Sequence, residues 1–258
     1  MKDIGVTRYI LGMEIKRDRA HKKICVSQRK YVNFVLERFN MTDCRQLVNL
    51  VLQEMKLFVE DCPKSPIEME ETIKVPFASV VGSLMYAFIY TRPDIAQVMG
   101  VLSRFMDNPG WVHWDAVKRV FRYLWGTFEY SLCFHGNHTR PRHSLSISGY
   151  VDSDWAGDTD SRRSTSGYVF MMFGGAVSWM NKKQLVVALS TTEAEYMATT
   201  YNCKQANWLQ RLCSDIDGKV KLEKVETLAN VANAMTKPMS TDKFKWCAGS
   251  MGLGALSS

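Results

Sequence analysis

Residues 148–198 read SGYVDSDWAGDTDSRRSTSGYVFMMFGGAVSWMNKKQLVVALSTTEAEYMA, and the fold is decided there. A short apolar run at 147–151 delivers two carboxylates, Asp152 and Asp154, where a strand should end; Gly157 and a polar turn follow. Residues 167–173, a Gly174-Gly175 turn and residues 176–180 predict an antiparallel meander, which 185–189 are placed to extend. After Ser190 the apolar period lengthens and a helix is predicted from Thr192 to about Cys213. Thr192 and Glu195 have capping-box spacing, which accounts for Glu195 structurally; it also puts Glu195 in the first turn, where it can face the end of the first strand. Carboxylates from strand and helix can share one Mg²⁺, and such oxygen-rich sites, completed by a phosphate, align water and leaving group in two-metal hydrolysis.

Working outward, 258 residues suffice for two modest domains. At 46% hydrophobic and 23% charged the composition is that of a folded chain, not a disordered one, and the net charge of +7 favours an anionic partner. The seven cysteines are scattered and form no CxxC pair, so free thiols in a reducing compartment, with no structural disulfide, are expected. No apolar run reaches membrane-spanning length and the start is no secretory signal, so an intracellular location, cytoplasm or nucleus, is expected.

Upstream, residues 8–13 and 23–27 predict two strands joined by a basic turn, 17–22. Ser27 then caps a helix with Tyr31, Phe34, Val35 and Phe39 on one stripe. Residues 46–75 read as a linker. Three helices follow, at 77–90, at 93–106 and at 114–125, the last closed by Gly126. In that last helix Trp114, Val117, Val120 and Leu124 form the buried stripe. Lys118, Arg119 and Arg122 point elsewhere with Tyr123 and Trp125 between them, a basic and aromatic mixture suited to a nucleic-acid backbone and its bases, or to a solvated face over an aromatic core. His135, His138 and His143 lie in a loop without cysteine at ligand spacing, which argues against zinc. Past the long helix, 219–226 alternates as a strand does, and the last residues, GALSS, are expected to fray.

GYVDSDWAGD, RRSTSGYVF, GGAVSW and ALSTTEAEYMA resemble the ribonuclease H domain of copia-type LTR retrotransposon Pol polyproteins of plants. MKDIGVTRYILGMEI with VSQRKYVNFVLERFNM is similar to the last part of that family's reverse transcriptase palm. VGSLMYAFIYTRPDIAQVMGVLSRFMDNPGWVHWDAVKRVFRYLWGT is similar to its helical thumb and connection. The resemblance implies an α/β (α+β) fold: a β-hairpin and small helical thumb, then a truncated ribonuclease H-like mixed sheet with a long helix. It maps as a palm remnant at 1–45, a linker at 46–75, a thumb and connection at 76–135, the ribonuclease H-like part at 144–240 and a tail at 241–258.

In the family Leu11, Gly12 and Met13 would belong to the primer grip, and four carboxylates would hold Mg²⁺. Matched residue by residue, the first is Asp152, with Asp154 the weaker candidate, and the second is Glu195, with Glu193 the alternative. The third is missing, because the chain passes from one helix to the strand KVKLEKV. At the fourth, Asn233 stands where the family has Asp. The polymerase motif Tyr-Val-Asp-Asp is also absent. The resemblance therefore implies a Pol fragment whose family activity, RNA-dependent DNA synthesis with RNA/DNA-hybrid cleavage, is lost, and which binds no Mg²⁺ stably. Two alternatives stand beside it. One is a working Mg²⁺-dependent hybrid nuclease in which Asp152, Asp154, Glu193 or Glu195 regroup with Asp215 or Asp217. The other is a host-retained nucleic-acid-binding module. The expected partner is an RNA/DNA hybrid or duplex bound without sequence preference by Lys118, Arg119, Arg122, Arg162, Arg163, Lys182 and Lys183, with no membrane involved.

Overall fold

In the computed structural model, which describes residues 7–50, 57–136, 147–212 and 225–255, the chain turns at Leu11-Gly12, inside the first expected strand. Both residues are left-handed, at φ 49° and 74°, the pairing that suits a two-residue hairpin turn to strand twist. The run therefore splits into β1 (Tyr9–Ile10) and β2 (Met13–Asp18), and it is β2 that pairs antiparallel with β3 (Lys23–Ser27). Helix α1 (Arg29–Arg38) follows, with the Ser27 hydroxyl accepting the Arg29 N–H at 3.1 Å. Its buried face is Val32, Val35 and Leu36, whereas Phe34, expected on that stripe, is 55% exposed. Val32 and Leu36 stand four apart on one side, and that pair wins the core.

The region read as a linker carries a 3-10 turn, Val59–Asp61, and helix α2 (Pro66–Thr72). A capping box starts α2: Glu68 N–H donates to the Ser65 hydroxyl and Ser65 N–H to the Glu68 carboxylate. Helix α3 (Phe77–Tyr90) matches its expected span; α4 (Ala96–Leu102) has a 3-10 turn at each end, and α5 spans Trp111–Gly126. Val117, Val120 and Leu124 are buried as expected, with Trp114 half-buried beside them. Between α3 and α5 sits a buried ionic knot. Arg92 is fully enclosed and grips Asp94 with two nitrogens, Nη2 at 2.7 Å, while the Tyr123 hydroxyl donates to the same carboxylate.

Strand β4 (Tyr130–His135) pairs with β3 so that Cys25 stands opposite Cys133, and the two form a disulfide. The expectation of free thiols fails here because the partners are 108 residues apart. Only the β3–β4 register, invisible to local spacing, brings them together. Cys44, Cys62, Cys203 and Cys247 are free thiols.

The decisive stretch folds as β5 (Ser148–Asp154), β6 (Thr165–Met172) and β7 (Gly175–Lys183), an antiparallel meander in that order. Its second turn is Phe173-Gly174, both left-handed, one residue before the glycine pair expected. Residues 185–189 add no strand; Leu185, Val186, Val187 and Leu189 lie exposed in a connection to α6 (Thr191–Leu212), which packs on β5. The strand expected at 219–226 falls, up to residue 224, outside the described residues.

The chain then returns. Helices α7 (Asn233–Thr236) and α8 (Thr241–Ser250) lead to β8 (Leu253–Ala255), which pairs with β4 at the edge of the first sheet, ordered β1-β2-β3-β4-β8. Gly254 and Ala255, expected to fray, are thus in a strand, because Phe244, Cys247, Met251 and Leu253 are buried and pull the segment in. The expected mixed α/β class holds: among the described residues there are eight helices and two antiparallel sheets, of five and three strands, and no barrel. One apolar core joins α1, α3, α4 and α5 to β6, β7, α7 and α8. No single helix there is long and apolar enough to cross a membrane.

Candidate functional site

Asp152 lies on β5 opposite Gly167 of β6. A Cβ at 167 would stand 2.5 Å from the Met235 Cβ and 2.7 Å from the Thr236 Cγ2. The bare glycine therefore lets α7 lie directly on the β5–β6 pair. That approach delivers two donors to Asp152: the Thr236 hydroxyl donates to Oδ2, and the Lys237 ammonium stands 3.2 Å from Oδ1. The Asp152 side chain is only 10% exposed, the Lys237 side chain 40%.

Asp154 ends β5 with its Oδ1 accepting the Thr165 N–H. Burial pushes its carboxyl up to about 6, against the pull of that hydrogen bond and of the Arg104 charge. Helix α6 begins at Thr191, one residue earlier than expected. Ser190 caps it, accepting the Glu193 N–H at 3.1 Å, and Glu193 accepts the Leu189 N–H at 2.7 Å. Glu193, not Glu195, is thus the capping carboxylate. Glu195 is exposed on the helix surface. Asn233, at the position of the missing anion, donates through Nδ2 to the Thr227 carbonyl and leaves its Oδ1 buried without a protein partner.

These residues do not fit a pair of divalent ions. Both oxygens of Asp152 are engaged by protein donors, Asn233 is neutral, and among the described residues no three His, Cys, Asp or Glu side chains converge. Asp215, Asp217, His138 and His143 lie outside the described residues; His135 is at the end of β4, exposed.

The seven basic residues divide between two places. On α5, Lys118 pairs with Asp115 at 2.5 Å, Arg122 donates through Nε to the Arg45 carbonyl, and Arg119 is half-buried. Tyr123, expected beside them to stack bases, is 1% exposed and tied to Asp94. Its ring belongs to the core, because α5 turns it toward Arg92. The second group is on the three-stranded sheet: Arg162 and Arg163 in the β5–β6 connection, Lys182 and Lys183 at the end of β7. Lys183 is held at 2.7 Å by Asp158, which also receives Arg104 at 3.3 Å and the Ser161 hydroxyl. Burial raises the Asp158 carboxyl, but the Lys183 and Ser161 hydrogen bonds and the Arg104 charge outweigh it and hold it below the ordinary range. Lys182 is exposed and lies 5.5 Å from the Tyr201 ring centre, with Lys204 at 5.9 Å from the same ring. Sequence reading missed Tyr201 and Lys204, because only the docking of α6 on the sheet sets them beside Lys182. It also missed the Thr236–Lys237 pair on Asp152; its signal was the polar TKP run after Asn233, next to a glycine-bearing strand.

The chain is 48% identical over 216 residues to the retrovirus-related Pol polyprotein from transposon TNT 1-94 of Nicotiana tabacum, covering 84% of this chain and 16% of that protein. It is 36% identical over 208 residues to the Pol polyprotein from transposon RE2 of Arabidopsis thaliana, covering 81% of this chain and 13% of that one. A protein named secreted RxLR effector protein 161, of Plasmopara viticola, is 52% identical over 135 residues, which are 52% of this chain and 92% of that protein. The chain thus spans about a sixth or less of the transposon polyproteins it matches. No family model and no solved structure matches it.

Proposed function

The chain belongs to the copia-type, retrovirus-related Pol polyproteins of plant transposons, and from that premise we propose that it is a nucleic-acid-binding Pol fragment without turnover. In this reading residues 1–45 and 76–135 derive from the end of a reverse transcriptase, and residues 144–240 from a truncated ribonuclease H-like domain. The observation that carries the loss of turnover is at Asp152. Its carboxylate is taken up by Lys237 and Thr236, and Asn233, which stands where the family has an anion, is neutral. Two divalent ions about 4 Å apart repel strongly unless several carboxylates and the scissile phosphate offset their charge. Support for binding comes from the net charge of +7 and from the exposed Lys182 at the end of β7 and Arg162 in the β5–β6 connection. The ligand is an RNA/DNA hybrid or duplex, held through phosphates without sequence preference.

The test has two arms. Anisotropy with a labelled hybrid should show binding that falls steeply with salt, with a log–log slope of about −4 if roughly four phosphates are neutralised. Replacing Lys118, Arg119, Arg122, Arg162, Arg163, Lys182 and Lys183 by Ala should abolish it. Incubation of the same hybrid with Mg²⁺ or Mn²⁺ should leave the RNA strand intact. Cleavage that disappears in Asp152→Asn would overturn the proposal.

A further inference from the structure

We propose that Lys237 is the resident cation of the Asp152 site: its ammonium occupies the place a divalent ion would take, and it clips α7 to β5. Lys237 thereby both fills the site and holds the returning chain against the sheet.

Three observations meet here. The Asp152 side chain is nearly buried, at 10% exposure, and a buried carboxylate needs a counter-charge. The Lys237 ammonium stands 3.2 Å from Oδ1 while the Thr236 hydroxyl takes Oδ2, so the two oxygens are answered by one cation and one neutral donor. Charge decides between occupants. One carboxylate and one ammonium cancel on Asp152 itself, whereas a divalent ion there would gain no second anion from α7, because Asn233 is neutral. The backbone makes the placement specific. Lys237 leaves α7 in an extended conformation, φ −127° and ψ 143°, as a residue before proline prefers, and Gly167 keeps α7 close enough for the side chain to reach. Asn230 adds a second tie, its Nδ2 donating to the Val151 carbonyl at 2.9 Å. Asp152, a carboxylate suited to a metal, has become part of the latch that returns the chain toward α8.

Thermal unfolding of the full chain, with Mg²⁺ or Mn²⁺ against EDTA, tests this. The wild-type midpoint should not move with either metal. Lys237→Met should unfold several degrees lower, and millimolar Mn²⁺ should recover part of that loss; the Lys237→Met, Asp152→Asn double variant should show no metal response. Lys237→Arg, which keeps the cation, should stay near wild type, and it serves where the Met variant folds poorly. A wild-type midpoint raised by Mn²⁺ would mean that the ammonium yields to metal and would overturn the proposal. So would a Lys237→Met variant as stable as wild type, one that ignores Mn²⁺, or a Lys237→Arg variant that responds to the metal. The inference rests on the Asp152 contacts that carry the loss of turnover, but none of these outcomes bears on salt-dependent hybrid binding, and turnover is read separately by hybrid cleavage, so the two readings fail distinguishably.

Discussion

Asp154 shows how a single carboxyl reports its surroundings. Burial raises it from 3.8 to about 6, so its ionised form is disfavoured in the folded chain. The corresponding stability is fully present below 3.8 and is lost as pH rises through about 6. Asp154→Asn keeps an oxygen for the Thr165 N–H and removes the charge. Denaturant melts should therefore show a gain on the order of 2 kcal/mol near neutrality, shrinking to nothing in acid; a gain independent of pH would contradict the assignment. Asp94 is the opposite case. Arg92 is sealed in the core and cannot lose its proton, so Asp94→Asn strands a buried cation beside Tyr123 and Thr127. A loss of about 3–5 kcal/mol in the same melts is expected.

At the scale of elements, two glycines make a matched test of packing. Gly82 sits exposed in α3, and a Cβ there meets nothing within 4 Å, so Gly82→Ala should stabilise by about 0.5–1 kcal/mol. Gly167→Ala drives its methyl into Met235 and Thr236, and it should cost about 1–3 kcal/mol while loosening α7. The same contrast explains what was legible in the sequence. Helix α3 and the β5–β6–β7 meander were readable because their patterns are local: apolar runs, turn glycines and a change of period. The Leu11-Gly12 turn was missed because a leucine at positive φ gives no warning in composition. Asp152 was found as a carboxylate at a strand end, yet its partners were not, since Thr236 and Lys237 meet it only after the chain returns past the sheet. The capping residue of α6 was misassigned because Ser190 and Thr192 offer the same spacing, and only backbone geometry selects Ser190.

Across the whole molecule, the late segment closes what the early one opens. The last strand, β8, borders β4, and β4 borders β3, so residues near both ends of the chain share one sheet. Such non-local closure is costly in chain entropy, and the Cys25–Cys133 bond acts on that cost. It ties two strands 108 residues apart, both cysteines buried in adjoining strands. A cross-link over a loop of roughly 100 residues stabilises by about 4–5 kcal/mol in the chain-entropy account, less where the reduced chain keeps structure. Equilibrium unfolding of the oxidised chain should therefore give a midpoint well above that of the chain unfolded with a reductant. The Cys25→Ala, Cys133→Ala double variant should match the reduced protein and ignore reductant, because the two methyl groups leave the β3–β4 ladder intact. Removing Cys44 and Cys62, both free thiols, should change neither curve. If the oxidised and reduced chains unfold together, the two strands are held by register alone.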